Sequence, residues 1–155
     1  MRKLVIEKSA VKNNLAVIKE RAAGAVIYGV LSGDGGGAGI VALAQLLRDE
    51  GIGHFAVSEV SEAQALREAG FVDEEILMLR STTDREELER LVDLNAVCTI
   101  SSVDTGMALN ALAENRSTVA EAHIQVDTGM GFGGFLVGEP EKILLAYRSL
   151  PNVAL

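Results

Sequence analysis

Cysteine is nearly missing. Cys98 is the single one in 155 residues, so no intramolecular disulfide forms and a reducing, cytoplasmic setting is expected. Basic residues are outnumbered, 14 against 22 acidic ones for a net charge of −8, and they form no stripe or run. Such a surface repels phosphate backbones and anionic membranes, which excludes nucleic acid and lipid as expected partners. No apolar run is long enough to cross a membrane, and Met1–Lys8 carries charges instead of a signal-length apolar stretch. Prolines number two, aromatics are 4%, and no low-complexity stretch divides the chain. What is there is 48% hydrophobic, enough for one core, and residues 1–155 read as a single domain.

The apolar residues come in short blocks: Ala25–Leu31, His54–Val57, Glu75–Leu79, Ala96–Ile100, Ala122–Val126 and Asn152–Leu155. Several are apolar nearly throughout, as strands buried on both faces are. Between them, helical spacing predicts Ser9–Ala22 with Ser9 as N-cap, Ile40–Asp49, Ser61–Ala69, Asp84–Leu94, Asp104–Asn115 and Pro140–Ser149. Gly51 and Gly70 stand where helices end, and Pro140 where one begins. The alternation predicts an α/β fold of parallel βα repeats, five to six units of them.

Ser32-Gly33-Asp34-Gly35-Gly36-Gly37-Ala38-Gly39 follows the first strand. Gly33, Gly35 and Ala38 satisfy the loose G-x-G-x-x-G/A pattern, and Glu59 ends the second strand. This reads either as a dinucleotide or phosphate cradle, with amides on the pyrophosphate and Glu59 on a ribose, or as a mobile turn without ligand. Ser32, Ser58, Glu59, Arg80, Ser101, Ser102 and Asp127 all fall at strand carboxyl ends, where sites of parallel sheets are built. Val103-Asp104-Thr105-Gly106-Met107 recurs as Val126-Asp127-Thr128-Gly129-Met130, read as a shared Asp cap or as a local duplication. His54 and His123 stand near strand starts without metal-ligand spacing, so no metal is expected, and Cys98 reads as a packing residue. No Gly-x-Ser-x-Gly elbow is present.

Phe55-Ala56-Val57-Ser58-Glu59-Val60-Ser61-Glu62-Ala63, Leu66-Arg67-Glu68-Ala69-Gly70, Ile76-Leu77-Met78-Leu79 and Asp127-Thr128-Gly129-Met130-Gly131 occur in this order. Together they resemble the amino-terminal barrel of bacterial alanine racemases. The resemblance implies a (β/α)8 barrel, a pyridoxal-phosphate cofactor, a dimer and interconversion of L- and D-alanine. It also implies a lysine at the end of the first strand, in covalent linkage to the cofactor, followed by a Tyr-Gly-His-Gly type run.

This sequence departs from that pattern at the site. Ser32 falls at the lysine, Gly36 at the tyrosine and Ala38 at the histidine, with Asp34 between them; Gln125 replaces a common lysine, and Phe132, after Met130, replaces an arginine. Ser32, Asp34, Gly36, Ala38, Gln125, Asp127, Met130 and Phe132 are therefore the candidate pocket lining, with no catalytic residue assigned. Serine forms no Schiff base, so the expectation is a catalytically inactive racemase-derived scaffold, engineered or decayed, with no cofactor. The alternative is a nucleotide- or phosphate-binding module using residues 33–39, and a small-molecule ligand stays open.

A full barrel averages about 250 residues, so the chain reads as truncated. Five or six strands leave open edges and uncovered apolar faces. The sheet then either opens into a flavodoxin-like arrangement or is completed by a second copy, which makes a homo-oligomer the expected state.

Overall fold

The computed structural model describes residues 4–155; the reading of the first residues as free of a signal-length run falls partly on residues 1–3, outside the described ones. Two compact units are present, Met1–Ile76 and Leu77–Leu155. The first holds α1 (Lys8–Ala22), β1 (Tyr28–Val30), a short α2 (Ser32–Gly36), α3 (Ile40–Asp49), β2 (His54–Val57), α4 (Val60–Glu68) and the start of β3 (Glu75–Met78). β1 runs parallel to β2, with Tyr28 opposite His54 and Val30 opposite Ala56, and β3 follows β2.

Phe55, Ala56 and Val57 are all buried, which is why this block reads as unbroken apolar sequence instead of alternating. The covering helices bury Ala44 and Leu47 from α3 and Val60, Ala63 and Leu66 from α4, the faces that helical spacing brings together. Each fully buried leucine stabilises the unit by about 1.5–3 kcal/mol. Phe55 meets Phe71 edge to face at 5.6 Å, and Arg48 stacks over Phe71 at 4.3 Å while pairing with Glu74 at 3.3 Å. Gly51 and Gly70 follow their helices at φ +79 and +89, a left-handed conformation that glycine adopts freely. The expected cap of α1 is corrected: Glu7 is the N-cap residue, and Ser9 lies inside the first turn with its hydroxyl donating to the Glu7 carboxylate at 2.8 Å.

The second unit holds the rest of β3, α5 (Arg85–Asp93), β4 (Cys98–Ile100), α6 (Val103–Asn115), β5 (Ala120–Ile124), β6 (Val126–Asp127), β7 (Phe135–Leu136), α7 (Pro140–Ser149) and β8 (Val153–Ala154). β4, β5 and β8 are adjacent and parallel, and Leu77 bridges Val97 in parallel. The strand expected over Ala122–Val126 begins earlier, because Ala120 and Glu121 pair with Val153 and Ala154. It also breaks at Gln125, whose N–H donates to the Ile100 carbonyl while its own carbonyl accepts from Phe135. That switch of partners creates the β6–β7 pair, which the glycine-rich sequence around it concealed. His123 consequently lies near the end of β5 and not at its start. Cys98 opens β4, where burial pushes its thiol up to about 11.

Parallel strands in chain order and βα alternation make this a partial βα barrel. The flavodoxin-like alternative is corrected, since that fold places its second strand outside its first, whereas here β1, β2 and β3 are consecutive. The expectation of uncovered apolar strand faces holds for Val30, 61% exposed on β1, but β5 presents Glu121 and His123 on its open face.

Gly134 tests the β6–β7 crossing. A Cβ there would lie 2.8 Å from the Gln125 carbonyl oxygen and 2.9 Å from the Asp127 nitrogen, at φ +113. Gly134→Ala is expected to lower stability by about 1–3 kcal/mol in urea unfolding, as overpacking against an unyielding neighbour does. Gly138→Ala, where a Cβ meets nothing within 4 Å, is the matched control.

Candidate functional site

At the end of β1 the backbone turns left-handed. Gly33, Asp34 and Gly35 have φ of 68, 55 and 64. Successive left-handed residues cost about 1–2 kcal/mol each with a side chain, so only a run dominated by glycine supports this turn. Asp34, its one non-glycine member, accepts from the Ile40 N–H through Oδ1 at 2.8 Å, capping α3 from six residues upstream. Glu62 holds the same turn from α4: Oε1 accepts from the N–H groups of Gly33 (2.7 Å) and Asp34 (3.2 Å), and Oε2 from those of Ser58 (3.0 Å) and Glu59 (3.1 Å). Burial raises the Glu62 carboxyl, but the four backbone donors outweigh it and hold the group below the usual carboxylate range.

Several sequence expectations change here. The residues 33–39 are not a turn without anchors, because Asp34 and Glu62 pin them. The helix start at Ile40 offers no free N–H at its first residue, as Asp34 occupies it. The Glu59 carboxylate accepts from the Glu62 N–H in a capping box and is engaged in starting α4. The phosphate-cradle reading of residues 33–39 therefore loses donors to the chain itself: the Gly33 and Asp34 amides to Glu62, and those of Gly35, Gly37, Ala38 and Gly39 to backbone carbonyls. Ser32 lies beside Ser58, with the two hydroxyls 2.7 Å apart, while Gly36 is exposed and Ala38 half-buried. Sequence reasoning assigned Glu62 no role, although the Glu59–Glu62 spacing is that of a capping box.

The other candidates belong to the second unit. Ser81 and Ser101 place their hydroxyls 2.6 Å apart, and Ser102 caps α6 by accepting from the Thr105 N–H at 3.2 Å, taking the place expected for Asp104. Arg80 forks onto Glu87 at 2.8 and 3.1 Å. Asp127 accepts from the N–H groups of Gly129 (2.8 Å) and Gly131 (3.1 Å), which lower its carboxyl and shape the following loop. Met130 and Phe132 are 74% and 79% exposed, and Gln125 serves through its backbone at the β5–β6 break.

At the opposite rim of the first unit, the Tyr28 hydroxyl donates to the Glu75 carboxylate, and the Tyr28 ring meets His54 at 5.2 Å. Burial and then the Glu75 contact push the Tyr28 phenol up to about 12. No group of three or more metal-ligating side chains occurs among the described residues.

The chemistry these groups offer is hydrogen bonding by hydroxyls and carboxylates. Lysines among the described residues lie in α1 (Lys8, Lys12, Lys19) and α7 (Lys142); Lys19 donates to the Glu50 carbonyl and Lys142 pairs with Glu139. None of these four directly follows a strand, where the resemblance places the cofactor-linked lysine.

The fold is that of a βα barrel segment. Residues 6–155 match the model of the family "Alanine racemase, N-terminal domain", and the chain belongs to that family. It is 34% identical over 133 residues to the alanine racemase of Carboxydothermus hydrogenoformans, covering 86% of this chain and 36% of that protein. With the Methanococcus maripaludis enzyme it shares 31% over 153 residues, 96% of this chain and 40% of the other. The solved alanine racemase of Clostridium difficile 630 superimposes with a TM-score of 0.84 at 28% identity, covering 95% of this chain and 38% of that one. The chain thus spans a little over a third of the length of these relatives. The expectation of no cofactor is corrected by this membership: alanine racemases are a pyridoxal-phosphate family, and that of Bartonella henselae, alike in fold at 21% identity, is solved with the cofactor covalently bound.

Acid tests the rim ion pair. The Glu87 carboxyl is held down to about 2, first by the Arg80 guanidinium and then by the Thr82 hydroxyl. Its folded-state value lies below the unfolded one of about 4.3, so its stabilisation is complete above that value and is lost as pH falls toward 2. Glu87→Gln is expected to flatten the loss of stability across this window, measured by urea unfolding at stepped pH.

Proposed function

We propose that residues 1–155 act as a single racemase-derived barrel segment that does not itself interconvert L- and D-alanine. One observation carries this reading: Ser32 stands at the end of β1, its hydroxyl 2.7 Å from that of Ser58, at the position the family resemblance gives to the cofactor-linked lysine. A hydroxyl forms no Schiff base with an aldehyde, and a neutral hydroxyl is too weak a base to remove a proton from an amino acid Cα. Gly36, Ala38 and Phe132 support the same conclusion, because each lacks the ring nitrogen, phenol or cation that the resemblance assigns there. The buried, lone Cys98 supports a reducing cytoplasmic setting, and the exposed apolar Val30 supports association with another copy.

A nucleotide-binding role is disfavoured by the occupation of the Gly33, Asp34 and Ile40 amides. Purified chain, incubated with L-alanine and pyridoxal phosphate and analysed by chiral chromatography, is expected to form no D-alanine above a heat-killed control. Time-dependent D-alanine formation would overturn the proposal.

A further inference from the structure

Of the four amides on Glu62, that of Glu59 is the ordinary partner of a glutamate at the third position of a helix, and that of Ser58 adjoins it. The other two, from Gly33 and Asp34, come from a different turn some thirty residues away in sequence and add nothing to the start of α4. That turn packs on α3 at Gly35, where a Cβ would meet Leu43 at 3.3 Å; a Cβ at Gly33, Gly36 or Gly37 would meet nothing within 4 Å. Its left-handed backbone is held by its own bonds, such as Gly35 N–H to the Leu31 carbonyl and Gly39 N–H to the Asp34 carbonyl, with Glu62 accepting from outside and the Asp34 carboxylate accepting from the Ile40 N–H. Amides converging on one anion form the arrangement with which glycine-rich turns hold oxyanions. Here the anion is a side chain of the same protein, with the carboxylates of Asp34 and Glu59 engaged on the same two turns.

We propose that Glu62 is a built-in latch: its carboxylate occupies an amide cradle shared by the β1-end and β2-end turns, fixes residues 33–39, and shuts small oxyanions out of that cradle. The inference is independent of whether the chain racemises alanine. By linkage, whatever seats the carboxylate disfavours an external anion, and its removal favours one to the same degree.

Amide hydrogen exchange followed by NMR tests both halves on the intact chain. Glu62→Gln retains a side chain competent for the capping box but gives up one acceptor oxygen. Gly33 and Asp34 are expected to exchange about tenfold faster in it, with Ser58 and Glu59 less affected and the β4 amides unchanged. In Glu62→Ala, sodium acetate at constant ionic strength is expected to slow exchange at all four amides saturably, while the parent chain does not respond. Undiminished protection of Gly33 and Asp34 in Glu62→Gln overturns the latch, and an equal response, or none, to acetate in parent and Glu62→Ala overturns the exclusion. Should Glu62→Ala fail to fold, the Glu62→Gln exchange rates decide.

Discussion

Every strand-to-helix junction of a parallel sheet leaves backbone amides without helical acceptors, and all of these junctions point to the same rim. An acidic chain with few cations meets this demand with oxygen acceptors. Asp34 serves α3, the Glu59 and Glu62 pair serves α4, Asp84 serves α5, Ser102 and Thr105 serve α6, and Asp127 serves the loop after β6. The net negative charge is thereby put to structural use, because an ionised acceptor on an amide makes a stronger bond than a neutral one. In each unit the turns at the strand ends are largely held by the chain's own oxygen atoms.

The repeated Val-Asp-Thr-Gly-Met shows how little a pentapeptide decides by itself. In the first copy, Ser102 lies just ahead and caps the chain into α6, so that Asp104 sits in the first turn and Gly106 packs against Leu150 and Ile100. In the second copy no such cap precedes it and glycines follow, so Asp127 accepts from amides downstream and the chain loops instead of winding. The aspartate of the first copy lies in the helix after β4 and that of the second ends β6, and the neighbours on either side choose its partner.

The βα order, the limits of β2, α3 and α7, and the terminal glycines of α3 and α4 were legible because apolar periodicity and helix-end chemistry are local signals. The split at Gln125 and the short β7 were not, since they depend on which carbonyl a single amide finds across the sheet. Ser32, Ser58, Ser101 and Asp127 were correctly placed at strand ends, yet their partners could not be read. Glu62 touches Gly33 and Asp34 only after β1 and β2 have paired, so no spacing along the chain connects them.

Cys98 opens a buried strand with its thiol well above neutrality, and the chain has no second cysteine. The folded protein is in effect blank toward maleimides and similar thiol reagents. A cysteine introduced at an exposed position, for example in place of Met130, would take a fluorophore or spin label at one defined point without any need to remove the native residue.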